Sequence, residues 1–490
     1  MKVKNPITYE INTRSWIKQF GAHAKLTDVP TEYWRDLRSK GVDLVWLMGV
    51  WETTKSSIEK YCFHPDLVKA YDRISPEWTK DDIYGSPYAI EDYQVSSHLG
   101  KNEDLGGIRS VLHENNMGLI LDFIPNHFNA ESSLIHKHPD VFLQASKEQF
   151  ERDSFTIYQS RDRYFAHGKD PYFPAWTDTV QINYSVQEAH LFMTERLHML
   201  SEFCDGVRCD MAMLILPEIF EKTWHDLSHL NAPEAFWKTV IPTIKEQNPE
   251  FIFIAEAYWD TQWQLQQMGF DYTYDKKLMD LLRSRSNHDI KAHLSGDLTY
   301  QEKSVRFIEN HDEDRSLLEL GEGRSRMASV MMSTLPGMKL FYDGQWEGRR
   351  MRIPVQMGTS FPEDPCPCTV NPANADHIPC PCQYHHYNVL LPVIQNEILK
   401  NGSWEWYHLE GAPEAIFSWQ WTHRHERLLV VINTEPHFNQ VKLSIALQEN
   451  TAISEVLNNN GALVNDHREG QITVALPGYK SVIYHIKNRR

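Results

Sequence analysis

The chain has 490 residues, 41% apolar and 23% charged, which is a globular composition with a soft expectation of about three domains. Its 49 Lys and Arg against 66 Asp and Glu leave a net charge of −17, which argues against nucleic acid or an anionic membrane surface as partner. No stretch approaches the roughly 20 apolar residues of a spanning helix, and the N-terminal residues form no apolar signal core. With seven cysteines, an odd number, this predicts reduced thiols and a cytoplasmic protein.

Eight short apolar runs recur in chain order: Ile7–Ile11, Val42–Met48, Met117–Ile124, Gly206–Met211, Phe251–Ala255, Phe270–Tyr274, Val305–Ile308 and Met338–Tyr342. Runs of this kind fit parallel strands buried on both faces. Helical patterns lie between them. Trp34 and Leu37 belong to one. Asn102 is expected to cap a second, which carries Leu105, Ile108 and Leu112. Ser185-Val-Gln-Glu188 reads as a capping box, followed by Ala189, Met193, Leu197 and Leu200 at helical spacing. Strand alternating with helix eight times predicts an α/β fold, a (β/α)8 TIM barrel over 1–127 and 185–398, with a doubly wound sheet as the alternative. Segment 128–184 interrupts the rhythm after strand three as an inserted lobe rich in aromatics and charges. From 399 to 490 the pattern becomes strands and turns, among them Ala415–Trp421, Arg427–Asn433, Gln440–Ile445, Gln471–Leu476 and Ser481–Ile486. This predicts a C-terminal all-β sandwich.

In such a barrel, side chains at the C-terminal strand ends face the active site. Run three ends in Asp122-Phe-Ile-Pro-Asn126-His127, run four in Arg208-Cys-Asp210, run five in Glu256, and run seven in Asn310-His311-Asp312. Glycoside hydrolysis needs one carboxylate as nucleophile and one carboxylic acid to protonate the leaving oxygen. Arg208, two residues before Asp210 on one strand, shares its face and is expected to keep Asp210 ionised. Glu256 follows an apolar run, so desolvation is expected to keep it protonated. Asp312 adds a third negative charge for an oxocarbenium-like transition state, and His127 and His311 read as neutral donors to sugar hydroxyls.

These motifs, in this order, resemble the four short regions of the α-amylase superfamily, glycoside hydrolase family 13. The resemblance covers the barrel from Ile7 to about Tyr342, and the C-terminal β domain fits it. It implies Asp210 as nucleophile, Glu256 as general acid/base and Asp312 as transition-state stabiliser. It further implies Arg208, His127 and His311 as residues around the sugar of subsite −1, Tyr88 as the tyrosine stacking beneath that sugar, and Asp122 as a structural aspartate. Segment 128–184 is then domain B. The expected reaction is hydrolysis of α-1,4-glucosidic bonds in a maltooligosaccharide or other α-glucan with retention. Glucanotransferase, sucrose-active or phosphorolytic chemistry, and a non-catalytic binding barrel, are the alternatives.

Three features depart from the family's pattern or lie outside it. The Lys-His pair that usually follows the nucleophile is here Met213 and Leu214, which removes the usual acceptor contacts and a usual calcium contributor. No cofactor is expected to be required. Asn126 matches a calcium-binding asparagine, and calcium there is one metal candidate. Zinc at Cys366, Cys368, Cys380 and Cys382 is the other, with a proline-stiffened loop of thiols as the alternative. Finally, Gly85 occupies the position where exo-acting members usually carry an Asp that helps close the pocket. That predicts an open wall and tolerance of sugar beyond subsite −1, unless insert aromatics such as Tyr164, Tyr172, Phe173 and Trp176 replace the wall; a glycine that serves only a turn before Pro87 is the alternative.

Overall fold

The computed structural model describes residues 3–227, 235–359, 363, 382–444, 451–458, 463–468 and 471–488. All eight apolar runs form strands: β1 (Ile7–Asn12), β2 (Leu44–Met48), β3 (Gly118–Phe123), β4 (Gly206–Cys209), β5 (Ile252–Ala255), β6 (Tyr272–Tyr274), β7 (Ser304–Arg306) and β8 (Met338–Tyr342). They pair in parallel and close into a barrel in the order β1-β2-β3-β4-β5-β6-β7-β8 and back to β1. The closed parallel barrel excludes the doubly wound alternative.

Strand alternation sorts each run into two layers. On β4, Val207 and Cys209 join the core between strands and helices, which turns Arg208 inward. On β3, Leu119, Leu121 and Phe123 pack outward, leaving Ile120 and Asp122 for the interior. On β1, Ile7, Tyr9 and Ile11 pack outward, so Thr8, Glu10 and Asn12 are buried on the other face. Gly206 opens β4 because a Cβ there would stand 2.5 Å from the Ile252 carbonyl oxygen, closer than the β4–β5 contact allows.

The helices differ at their caps. The helix Asn102–Glu114 buries Leu105, Ile108 and Leu112, yet Asn102 lies inside it. The Asp104 carboxylate accepts from the Lys101 N–H at 2.9 Å, while Asn102 ties down the preceding loop through Tyr93 and Val95. The next expected capping box is absent: the helix runs over Gln187–Phe203 with Val186 as N-cap, and the Ser185 hydroxyl donates to Asn183.

Between β3 and β4 the chain leaves the barrel. Strand His127–Asn129 pairs antiparallel with Thr179–Gln181, and a small sheet joins Gln144–Ala145, Ile157–Ser160 and Arg163–Ala166. At the C-terminus, a five-stranded antiparallel sheet faces a three-stranded one. Ile416, Leu429, Val431 and Val482 from the first meet Val441, Leu443, Val474 and Leu476 from the second in one core, as in a sandwich. The other face of the larger sheet docks on the barrel, where the Trp421 indole donates to the Thr334 carbonyl at 2.7 Å. Among the described residues no helix is long and apolar enough to cross a membrane.

Candidate active site

The inward register brings the predicted strand-end residues to one mouth. Arg208 is buried at its centre. Its guanidinium stands 2.7 Å from Asp210 Oδ1, 2.8 Å from Glu256 Oε2 and 3.4 Å from Asp122 Oδ1. The faces of Trp46 and Tyr88 each lie 5.2 Å from it. Asp122 is fixed by the Trp46 indole at 3.2 Å, and the Trp51 indole holds its carbonyl at 2.9 Å. Its role is thus to brace Arg208 from below.

Glu256 is held on both oxygens. The Met211 amide donates to Oε2 at 2.7 Å, and the Tyr258 hydroxyl bonds Oε1 at 2.7 Å. Met211 reaches it from a left-handed conformation, φ 42° and ψ 45°, a strained backbone for a side chain of this size. Burial pushes the Glu256 carboxyl up to about 7, with Asp210 and Asp312 adding to burial and Arg208 opposing it. That keeps a proton on Glu256 near neutrality. Burial also raises Asp210, and the Arg208 ion pair opposes that rise without cancelling it. Asp312 is the open member of the three, its side chain 42% exposed, and His311 at 2.9 Å outweighs burial to hold it at about 2.

His311 is not the neutral donor expected. Its Nδ1 lies 2.5 Å from Glu10 Oε1, and its Nε2 meets the Tyr88 hydroxyl at 2.7 Å and Asp312 at 2.9 Å. Burial would lower it, but Asp312 and Glu10 raise it to about 10, so it is an imidazolium between two carboxylates. His127 does remain neutral, pushed down to about 4 by burial.

A cavity of about 480 Å³ opens onto these groups, lined by Tyr88, His127, Asp210, Glu256 and Asp312 among others. Asp178, Tyr258 and Gln356 also line it and were not singled out from sequence. Asp178 and Tyr258 lie on loops, where no strand register flags an inward side chain. Burial raises Asp178.

The departures resolve differently. Met213 and Leu214 are buried in the turn Ala212–Ile215, so they leave no polar acceptor contact. Gly85 sits at φ +88°, and a Cβ there would meet Thr53 Cγ2 at 2.6 Å and Ile58 Cγ1 at 2.9 Å. A side chain would point at those residues, neither of which lines the cavity. The turn reading of Gly85 thus accounts for the residue by its backbone alone. Asn126 spends its carbonyl oxygen on Gln181 Nε2 at 3.0 Å. Among the described residues no group of three or more His, Cys, Asp or Glu stands close enough to hold a metal ion. No step below runs through calcium. Cys366, Cys368 and Cys380 lie outside the described residues. Cys382 is half-buried as N-cap of the helix Gln383–Ile394, its sulfur accepting from the His385 N–H at 3.5 Å.

A closed (β/α)8 barrel that gathers two buried acids and a guanidinium at its C-terminal mouth has the groups glycoside hydrolysis requires. The family model described as "Alpha amylase, catalytic domain" matches residues 32–364, and the chain belongs to this family. Alpha-amylase MalA of Haloarcula japonica is 24% identical over 273 residues, covering 54% of this chain and 37% of that protein. The intracellular maltogenic amylase of Bacillus subtilis is 22% identical over 349 residues, covering 67% of this chain and 53% of that protein. The chain thus spans only about a third to a half of these two relatives. Among solved structures, an alpha-amylase from Lactobacillus plantarum shares the fold with a TM-score of 0.68 at 18% identity over 98% of both chains. The maltogenic alpha-amylase AmyB of Thermotoga neapolitana does so with 0.67 at 21%, over 99% of this chain and 100% of that one.

Proposed function

We propose that this chain is a retaining α-glucan hydrolase acting on α-1,4-glucosidic bonds of maltooligosaccharides, starch or glycogen. The observation that carries this reading is the division of labour around Arg208. One guanidinium touches both acids, and burial leaves Glu256 titrating near 7. In the first step the Asp210 carboxylate attacks the anomeric carbon while Glu256 gives its proton to the leaving oxygen. In the second, Glu256 takes a proton from water, which displaces Asp210 from the same carbon. Arg208 steadies Asp210 during attack, and Asp312 with Tyr88 offsets the positive charge that develops on the ring. A relative named as intracellular supports a cytoplasmic location, with glycogen or imported maltodextrin as substrate.

Proton NMR of the first products from maltopentaose is expected to show the α-anomer. The β-anomer would reject double displacement and the role given to Asp210. Repeating the assay with added glucose or phosphate separates hydrolysis from transfer and phosphorolysis, since only the acceptor differs.

Glu10 has a place in this scheme that the apolar run around it concealed. It is fully buried, its Oε1 meets the backbone N–H and the ring of His311, and its Oε2 has no hydrogen-bond partner among the described residues. The groups facing His311 include Glu10, Asp312, Tyr88 and the edge of Trp46, with the Asp122 carboxyl also in electrostatic reach. Removing one of two carboxylates from an imidazolium lowers its pKa, so Glu10→Gln is expected to lower that of His311 by about one unit or more, worth ~1.4 kcal/mol. NMR titration of the His311 ring measures this, and an unchanged value refutes the positioning role of Glu10.

A further inference from the structure

Glu256 and Tyr258 follow β5, so the leaving side of the substrate lies against that part of the mouth. In the closed barrel β5 stands opposite β1, and β2 and β8 flank β1. The chain segments that follow β2 and β8 therefore face the other end of the substrate, the glycone. Ser86 from the first and Gln356 from the second line the catalytic cavity, together with Trp176 and Asp178 of the insert between β3 and β4. The mechanism above uses none of these four.

These segments are tied to one another. Ile83 and Met357 pair as an antiparallel bridge, the Tyr84 N–H donates to the Gln356 carbonyl at 2.8 Å, and the Gly358 N–H donates to the Asp82 carbonyl at 2.8 Å. The Thr359 hydroxyl closes the same junction on the Asp82 carboxylate. Ile83 and Met357 are buried in one cluster with Cys62, Tyr71 and Ile353. The insert is joined to the chain after β2 as well. Lys60 pairs with Glu131 at 2.7 Å, the Asn129 N–H donates to the Ile90 carbonyl at 2.9 Å, and the Ala130 N–H donates to the Asp178 carbonyl at 2.9 Å within the insert. Burial and then the Asp178 charge push the Cys62 thiol up to about 11, which sets that carboxyl beside the chain after β2. A free loop parts readily to let a polymer through, whereas segments stitched by backbone hydrogen bonds over a buried cluster part only by breaking them.

The resulting wall carries polar groups that the protein does not itself use. The Asp178 side chain is half-buried, burial raises its carboxyl, and its own N–H is the one group that offsets this; no Lys or Arg pairs with it among the described residues. The Gln356 amide likewise engages no other side chain among the described residues. A carboxyl and an amide are costly to desolvate unpaired, and the hydroxyls of a terminal pyranose offer donors and acceptors to both. Trp176, its ring centroid 5.4 Å from that of His127, adds an apolar surface beside them. The geometry points to an enzyme specific for chain ends, in which Asp178 and Gln356 hold hydroxyls of the non-reducing terminal sugar and the wall keeps the interior of a glucan from being cut. Gly85 has no side chain to give to this wall, and its neighbours build it. This rests on the α-glucan reading of the site and adds which part of the glucan the site takes.

The test uses the full chain and p-nitrophenyl α-maltoheptaoside, with its non-reducing terminal sugar either free or blocked by an ethylidene acetal across its two outermost hydroxyls. Products are separated directly by chromatography. The unsubstituted chain is expected to cleave the free form at least about 100-fold faster in kcat/KM. Comparable rates on the two forms overturn the chain-end reading. Asp178→Ala and Gln356→Ala, on separate loops, are each expected to lower this preference about tenfold by losing activity on the free form alone. Asp178→Asn keeps groups able to bond a hydroxyl and is expected to restore most of the preference. A parallel fall on both forms in the alanine variants overturns the part given to these side chains, since a merely structural role lowers both. Failure of the unsubstituted chain to cleave either form is a different result, and it rejects the hydrolase reading.

Discussion

Asp210→Asn is expected to abolish turnover of maltopentaose, with a loss on the order of 10,000-fold or more, the scale seen when a nucleophile is removed from a covalent catalytic apparatus. The change keeps shape and volume. The Asp210 backbone N–H still donates to the Phe123 carbonyl at 2.8 Å, and Arg208 keeps its contact with Glu256 Oε2, so the fold is expected to survive. What disappears is the charge that, in the proposed mechanism, forms the bond to the anomeric carbon. A second effect follows from the shared guanidinium. Asp210 is one of the charges that push Glu256 up, so its neutralisation is expected to lower the Glu256 pKa from about 7. Circular dichroism and melting temperature check the fold, initial rates check turnover, and titration of the Glu256 carboxyl by difference infrared spectroscopy checks the coupling. Near-normal hydrolysis of an aryl α-maltoside would sink the assignment of Asp210.

The legible part of this site is the part written by strand register. Asp122, Arg208, Asp210 and Glu256 each follow or interrupt a buried run at a position whose neighbours pack outward, so period-two alternation places them in the mouth before any coordinate is known. Glu10 obeys the same rule on β1, and Thr8, Glu10 and Asn12 were readable as the inward face. Reading Ile7–Ile11 as one continuous apolar run hid it. Tyr258, Asp178 and Gln356 come from loops, where no period operates and position is set by tertiary contacts. Gly85 shows the converse failure. A missing side chain reads in sequence either as missing wall or as a turn, and its φ with the nearness of Thr53 and Ile58 is what favours the turn.

The same contrast holds for the frame. The eight barrel strands were legible because burial on both faces demands near-continuous apolar sequence. The strands Ser403–Trp406, Thr451–Asn458 and Leu463–Arg468 were not, because each carries polar residues that obscure any apolar run. Helix starts were misplaced where a polar residue had two uses. Asn102 and Ser185 both bond neighbouring loop residues, and neither caps the helix that follows it in sequence.

Glu256→Gln is expected to cost about 100- to 10,000-fold in kcat/KM on maltopentaose, the range over which a positioned acid contributes. Glutamine keeps hydrogen bonds to the Met211 amide and to Tyr258 but has no proton to deliver to the leaving oxygen. The direction of the pH dependence follows from burial. Glu256 titrates at about 7, so the unsubstituted protein loses its catalytic acid as pH rises through that value. The alkaline limb of its kcat/KM profile on maltopentaose is expected near there. His311 at about 10 and Asp312 at about 2 hold one charge state across that range, and the ionisation of Asp210 sets the acid limb. The substituted protein has no such acid, so its residual activity is expected to lack the limb near 7. α-Maltosyl fluoride separates this role from that of the nucleophile. Fluoride leaves with little need of a proton, so Glu256→Gln is expected to form the glycosyl intermediate from it far more readily than from maltopentaose, whereas Asp210→Asn fails on both. Equal losses on the two substrates in Glu256→Gln, or an alkaline limb that survives the substitution, would assign the proton to another group, and Asp178, raised by burial and lining the same cavity, is then the carboxyl to replace next.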